Sequence, residues 1–140
     1  MPLSFRIILF EILIFSLLSI GNAQGQALSV FYTCSVEPNT KTVAIGVTLC
    51  DASATPELSA SAAQDNLQVR NGALILELTT NGIARIAGLK KGDVIYRVKG
   101  IDIADAATAA EQLRHMPLTS DIVINFLRDG RPYRIKLRED

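Results

Sequence analysis

The segment Ala87–Ile95, with the sequence AGLKKGDVI, constrains the fold more than any other part of this chain. Gly88 follows a short apolar run, and glycine commonly ends a helix because it adopts the left-handed backbone at low cost. Gly92 and Asp93 are typical of a tight turn, in which the aspartate can hydrogen-bond the turn's own backbone. Residues 94–98 are mostly β-branched or aromatic and predict a strand. The segment therefore predicts a short helix, a tight turn and a buried strand in succession.

The longer sequence AGLKKGDVIYRVKGIDI resembles the signature of bacterial PDZ domains. That signature contains alanine-glycine-leucine, then glycine-aspartate with an apolar pair, and a strand ending in asparagine-glycine; Lys99 replaces the asparagine here. The likeness runs from about Thr42 to Leu137 and is nearest to HtrA-type periplasmic proteases and type II secretion protein C. It implies an α+β fold, a partly open antiparallel β-barrel of about five strands with one main and one short helix. The implied function is peptide or protein binding.

Met1–Ala23 has the composition of a secretory signal peptide. A single arginine precedes the apolar run Ile7–Ile20, and the closing glycine-asparagine-alanine supplies the small residues that a signal peptidase reads. A spanning helix needs ~20 apolar residues, whereas this run is shorter and Glu11 interrupts it. We therefore expect cleavage before Gln24 and a periplasmic or secreted protein with no stable membrane span. The alternative is an uncleaved anchor in the inner membrane, with the protein facing the periplasm.

Length and charge narrow the function further. A chain of 140 residues forms one domain rather than two; we assign residues 24–41 to an N-terminal extension and residues 42–138 to the PDZ-like domain. Lys and Arg number 14, as do Asp and Glu, so we expect no nucleic-acid partner. His115 is the only histidine, and no nucleophile, phosphate-loop or zinc-ligand motif accompanies it. We therefore expect no catalytic residues, no metal and no cofactor.

Two cysteines, Cys34 and Cys50, leave two interpretations open. In an oxidising compartment such a pair often forms a disulfide. If residues 37–41 formed a tight hairpin, however, the cysteines would be offset by about six residues, or ~20 Å along a strand, which no bridge spans. A bridge therefore requires that residues 31–36 and 43–49 do not form a tight hairpin. Otherwise the two cysteines are small buried residues in apolar strands.

The candidate binding residues follow from the PDZ resemblance. Residues 42–49, TVAIGVTL, alternate as a half-buried strand, and Gly46 within it marks a bulge or the close approach of another backbone. The letters AIGV match the family's carboxylate-binding loop, where backbone N–H groups hold a ligand's C-terminal carboxylate. The strand edge that follows and a later helix would form the peptide groove. The implied peptide-binding residues are Lys41, Ile45, Gly46, Val47, Thr48, Leu49, Ala106, Ala110 and Arg114.

A helix is predicted over Ala106–Met116, with Ala109 and Leu113 toward the core. By the resemblance, Ala106 and Ala110 lie beside that face and form one wall of the groove. Two alanines would make this wall shallow and leave room for bulky ligand side chains. Earlier in the chain, the letters TPEL predict a helix start followed by one or two turns.

Asp129-Gly130 predicts a type I′ hairpin near the C-terminus. The opposite face, which carries Asn125, Arg134 and Lys136, is predicted to be solvated. Counted outward from the turn, the pairs predicted on the core face are Phe126 with Tyr133, Ile124 with Ile135, and Ile122 with Leu137.

These patterns favour an exported, non-enzymatic module that captures a protein or C-terminal peptide by β-strand addition beside a carboxylate-binding loop. One alternative is a structural component or paralogue of a type II secretion machine. It is supported by KGIDIADAATAAEQL, which is similar to the corresponding segment of protein C. Another alternative is a regulatory partner of an envelope protease. Pull-down from an envelope extract would separate the three.

Overall fold

A computed structural model describes residues 31–35, 40–114 and 121–138. These form an antiparallel sheet with the strand order β1-β3-β4-β5-β7-β8, in which β2 also pairs with β3 and β6 with β5. The strands are β1 Tyr32–Cys34, β2 Lys41–Val43, β3 Val47–Ala54, β4 Ala73–Leu78, β5 Val94–Val98, β6 Ile101–Asp102, β7 Ile122–Arg128 and β8 Arg131–Leu137. The helices are α1 Pro56–Asp65, α2 Ile83–Ala87 and α3 Ala106–Arg114.

The predicted α+β class and PDZ-like antiparallel architecture are confirmed. The described residues contain eight strands, more than the five predicted, because several short strands add to the sheet. They also contain three helices, of which α1 begins at the predicted TPEL start. Within these ranges, no helix is both long and apolar enough to cross a membrane. The predicted signal peptide, Met1–Ala23, lies outside the described residues, as do His115 and Met116.

The predicted order of helix, turn and strand around Gly88 is confirmed. Helix α2 ends at Gly88, whose φ of 109° lies in the left-handed region that glycine tolerates. The following turn places Asp93 in the interior, 1% exposed, and β5 begins directly after it. This turn fixes the position of α2 against the sheet.

The C-terminal hairpin has the predicted register, with Ile122 opposite Leu137 and Phe126 opposite Tyr133. Asp129 and Gly130 both have positive φ, 54° and 77°, as a type I′ turn requires. Burial differs most from the prediction at two positions. Tyr133 is 46% exposed, whereas Leu127, on the face predicted to be solvated, is 1% exposed.

A second core explains the burial of Leu127. Most of the apolar side chains lie on the sheet face that carries α2 and α3. On the other face, Leu58 of α1 and Tyr32 of β1 cover a smaller cluster. That smaller cluster consists of Tyr32, Cys50, Leu58, Leu74, Val94, Tyr96 and Leu127. The sheet is therefore covered on both faces. A side chain on either face of a strand can be buried, which is why Leu127 is buried on the face opposite Phe126.

The prediction of one strand over residues 42–49 is wrong. The chain forms β2, turns at residues 44–46, and returns as β3, which continues to Ala54. Gly46 causes the break, because its φ of 89° is unsuited to a strand and its N–H donates to Val43 O at 2.9 Å. The alternation nevertheless describes burial correctly, since Val43, Ile45, Val47 and Leu49 are all buried.

Candidate functional site

The residues predicted to form the carboxylate-binding loop make a turn at positions 44–46. Two hydrogen bonds fix this turn, from Ala84 N to Ile45 O at 3.0 Å and from Thr79 N to Gly46 O at 2.9 Å. A Cβ added to Gly46 would lie 3.0 Å from the Cα of Gly82. The glycine therefore does mark a close approach of two backbones, in addition to a turn.

The N–H groups of this turn differ in their hydrogen bonds. The Gly46 N–H donates to Val43 O, and Val47 pairs with Val43 across the hairpin. Within the described residues, no group accepts a hydrogen bond from the Ile45 N–H. Of the N–H groups implied to bind a carboxylate, that of Gly46 is thus engaged by the chain's own carbonyl.

The strand edge predicted to accept a peptide is paired in the structure. On one side of β3, Val47, Thr48 and Leu49 pair with residues of β4. On the other side they pair with β2, where Val43 is opposite Val47 and Lys41 is opposite Leu49. The sequence did not reveal this pairing because residues 42–49 alternate regularly through the turn.

Strand β1 extends this cover along β3. Cys34 lies opposite Ala52, and Ser35 N donates to Asp51 O at 3.0 Å. Cys34 and Cys50 are bonded as a disulfide, with their Cα atoms 5.7 Å apart. The geometric condition for a bridge is met because β1 and β2 both pair with β3, instead of β1 forming a tight hairpin with the next strand.

Helix α3 packs over β2 and β3. Ala106 and Ala110, predicted to line the groove, are 0% and 4% exposed and belong to the main core together with Val43. Ala109 and Leu113 are also buried there, as predicted. The space expected for a ligand beside this helix is therefore filled by the chain itself.

The start of α3 is fixed by two aspartates. Ala106 N donates to Asp51 Oδ1 at 2.8 Å, and Thr108 N donates to Asp105 Oδ1 at 2.8 Å. Hydrogen bonds from the side chain and backbone of Thr108 lower the pKa of Asp105. Asp51, which the sequence reasoning missed, thereby ties the helix to β3. Only a contact across 55 positions identifies it, and no local pattern carries that signal.

The remaining predicted site residues are not brought into one surface. Lys41 is half-buried on β2 and makes no ion pair with a described residue. Arg114 is exposed at the end of α3 and pairs with Glu111 at 3.2 Å. Thr48 is half-buried, whereas Leu49 is fully buried in the main core. The residues that do come together are Ile45, Val47, Leu49, Ala106 and Ala110, around Val43.

Sequence comparison places these elements in a known family. The model of the PDZ domain family matches residues 43–138. The periplasmic serine endoprotease DegP of Escherichia coli K12 is 32% identical over 71 residues, which cover 51% of this chain and 15% of that protein. A probable periplasmic serine protease of Haemophilus influenzae, described as do/HhoA-like, is 30% identical over 83 residues, covering 59% and 18%. The chain thus spans less than a fifth of these relatives.

Solved structures show the same fold. The HtrA3 PDZ domain bound to a phage-derived ligand matches with a TM-score of 0.51 at 18% identity, covering 74% of this chain and 89% of that one. The HtrA-type protease variant AlgW S227A, solved with a decapeptide, also has a TM-score of 0.51, at 22% identity, covering 72% and 28%. The family match spans most of the chain and includes the 44–46 turn, α2 and α3. The chain therefore belongs to the PDZ domain family.

Proposed function

We propose that the protein is an exported, non-enzymatic module that captures a partner segment by adding it as a strand to β3. The ligand's C-terminal carboxylate binds at the turn formed by residues 44–46. The single observation that carries the proposal is the position of Val43. Its backbone and side chain occupy the place beside β3 and α3 that the proposal gives to a ligand's last residue. In this proposal β2 is an internal occupant that the ligand replaces.

Val43 meets each requirement of such an occupant. Its backbone pairs with Val47, its carbonyl accepts the Gly46 N–H at 2.9 Å, and its side chain is only 6% exposed. A C-terminal ligand residue needs the same three things, namely strand pairing, an N–H group for its carboxylate and an apolar pocket. An exchange of β2 for a ligand therefore preserves the kinds of contact that β3 and α3 make.

The cost of releasing β2 is moderate. The strand has three residues, and only Val43 among them is buried, since Lys41 is half-buried and Thr42 exposed. Burying a valine side chain is worth roughly 1.5–3 kcal/mol. The apparent dissociation constant of a ligand equals the intrinsic constant divided by the fraction of molecules with β2 released. Weaker anchoring of β2 should therefore tighten ligand binding.

Two observations support export. The relatives named above are described as periplasmic proteases, and the match to them covers only the PDZ region of this chain. The Cys34–Cys50 disulfide is typical of proteins in an oxidising compartment such as the periplasm or the extracellular space. Both fit the predicted cleavage after Ala23 and a periplasmic or secreted location. Intact-mass measurement of the exported protein would establish whether the chain begins at Gln24.

The deciding experiment screens a C-terminal peptide library against the full chain and titrates a selected peptide. We expect amidation of the peptide's C-terminus to weaken binding, because it removes the charge held at the turn. Val43→Ala should tighten binding, because it weakens the internal occupant. Thr42→Ala, on the exposed side of the same strand, is the matched control and should leave affinity unchanged. Thermal melts would verify that both variants are folded.

Two results would contradict this proposal: equal affinity for free and amidated peptides, or weaker binding by a folded Val43→Ala variant. Substitution of Ala110 by a large residue is unsuitable as a test, since Ala110 is buried and overpacking would destabilise the fold. Pull-down from an envelope extract would then identify the partner. Unfolded C-terminal tails would favour a general peptide-binding role, a secretin would favour the type II secretion role, and a protease would favour the regulatory role.

A further inference from the structure

Hydrogen bonds to the interior of the protein fix the turn that follows α2. Asp93 is 1% exposed and accepts hydrogen bonds from Lys90 N at 2.8 Å and from two nitrogens of Arg128. Gly92 N donates to Ile75 O at 2.9 Å, which joins the turn to β4. Lys90 and Lys91 therefore project from a backbone whose position is fixed before any ligand arrives.

A cleft of about 480 Å³ opens beside this turn. This volume falls within the ~300–1,000 Å³ typical of ligand pockets. Its apolar part is formed mainly by the half-buried Leu78, since Leu89 is only 2% exposed and belongs to the main core, and its charged part is formed by three basic side chains. The lining residues are Leu78, Arg85, Gly88, Leu89, Lys90 and Lys91.

The positive charge of the cleft is not compensated. Arg85, Lys90 and Lys91 are exposed, and none forms an ion pair with a described residue. Two of the carbonyls at the end of α2, which would oppose an anion, are already engaged: Ala84 O accepts from Leu89 N, and Gly88 O accepts from Arg128. The whole chain has a formal net charge of zero, so the positive charge of the cleft is a local excess.

We propose that this cleft is a second binding site, separate from the edge of β3, and that it takes an acidic segment of a partner protein. Carboxylates of the segment would pair with Arg85, Lys90 and Lys91, while an apolar side chain would rest on Leu78. Leu78 lies on β4, whereas β2 occupies the opposite side of β3. Leu78 also lines a smaller pocket together with Thr42 and Val47, so the two sites are neighbours on the sheet.

The shape of the cleft favours a peptide over other polyanions. A nucleic acid or an anionic membrane contacts a broad basic face through its phosphates. Here three exposed cations and the half-buried Leu78 line one concave surface, which suits an aliphatic side chain flanked by carboxylates.

The test uses the full chain with its disulfide intact and a fluorescent peptide of alternating glutamate and leucine, capped at both ends. The caps remove the terminal carboxylate, so that binding does not depend on the turn at residues 44–46. Combining Arg85→Gln, Lys90→Gln and Lys91→Gln should weaken binding about tenfold, since exposed ion pairs each contribute up to roughly 1 kcal/mol. The matched control combines Arg131→Gln, Arg134→Gln and Lys136→Gln, which removes equal charge from β8. It should change affinity less than about twofold.

Carbodiimide cross-linking then locates the peptide, with Lys90 and Lys91 as the expected attachment points. A glutamine version of the peptide should not bind. Equal loss in both triple variants would overturn the proposal, since it would mean nonspecific charge attraction. Preferential, cleft-dependent binding of phosphatidylglycerol vesicles or of a single-stranded oligonucleotide would also overturn it. Failure of the amidated-ligand test described above would leave this result unaffected, because the capped peptide does not use that site.

Discussion

Arg128 on β7 and Asp93, the residue before β5, form a bidentate ion pair. Nε lies 2.9 Å from Oδ1 and Nη2 lies 2.7 Å from Oδ2. The Asp93 side chain is 1% exposed and that of Arg128 is 29% exposed. Arg128 also donates to Gly88 O at 2.9 Å, so the pair joins the end of α2 to the C-terminal hairpin. The hydrogen bond to Asp93 raises the pKa of Arg128, which is therefore charged throughout the physiological range.

Loss of this arginine should destabilise the fold strongly. Arg128→Met would leave the Asp93 carboxylate buried with the Lys90 N–H as its remaining donor. Removing one partner of a buried pair costs about 3–5 kcal/mol. Arg128→Lys should recover only part of this loss, because lysine cannot make the two parallel hydrogen bonds. Urea unfolding would measure both free energies, and a loss below about 1 kcal/mol for Arg128→Met would contradict the buried position of Asp93.

The disulfide should contribute measurably to stability. Cys34 and Cys50 are separated by 16 positions, and in the chain-entropy model a loop of about that size contributes ~3 kcal/mol. We expect the double variant Cys34→Ala, Cys50→Ala to lose about 2–4 kcal/mol in denaturant melts. The reduced wild type serves as the control, since it loses the same constraint without a change of side chain. If the variant and the oxidised wild type melted alike, the bridge would contribute nothing to folding.

The register of the C-terminal hairpin predicts opposite outcomes at adjacent positions. Ile124 is fully buried in the main core, so Ile124→Ala should cost roughly 2–5 kcal/mol. Asn125 points to the other face and is half-buried, and Asn125→Ala should cost less than about 1 kcal/mol. Equilibrium melts of the two variants provide the comparison. Equal losses would mean that the register of β7 and β8 is shifted by one residue.

The cap of α3 should make stability depend on pH in the acid range. Hydrogen bonds from Thr108 hold the folded-state pKa of Asp105 below its unfolded value of ~3.9. The contribution of ionised Asp105 to folding stability is therefore fully present above the unfolded-state pKa, and it is lost as the pH falls through the folded-state pKa. Asp105→Ala should cost ~1 kcal/mol at neutral pH, and this difference should narrow in acid. Asp105→Asn, which keeps a capping side chain but cannot ionise, separates capping from charge.

Features set by a few neighbouring residues could be predicted from the sequence. Gly88 ends α2 and Asp129-Gly130 turns the C-terminal hairpin because each requires a backbone conformation that these residue types favour. The register of β7 and β8 then follows from counting outward from the turn. The core positions Ala109 and Leu113 follow in the same way from helical spacing.

Features that depend on distant pairing could not be predicted. Val43, Ile45, Val47 and Leu49 are buried whether residues 42–49 run straight or turn back, so their alternation does not reveal the break at Gly46. The cover of β3 by β2 follows from that turn, and it places Ala106 and Ala110 in the core. The second core likewise depends on Leu58 and Tyr32, which reach the far face of the sheet from separate elements.

The two ends of the sheet are shielded from other molecules in different ways. Strand β8, at one end, presents exposed Arg131, Pro132, Arg134 and Lys136, a composition that discourages pairing with a second chain. At the other end, Val47–Leu49 carries no charge, and its outer edge is covered only by the chain's own strand β2. Truncation of residues 31–43 would therefore do more than destabilise the fold. It would expose an unguarded edge through which copies of the protein could join into strand-exchanged assemblies.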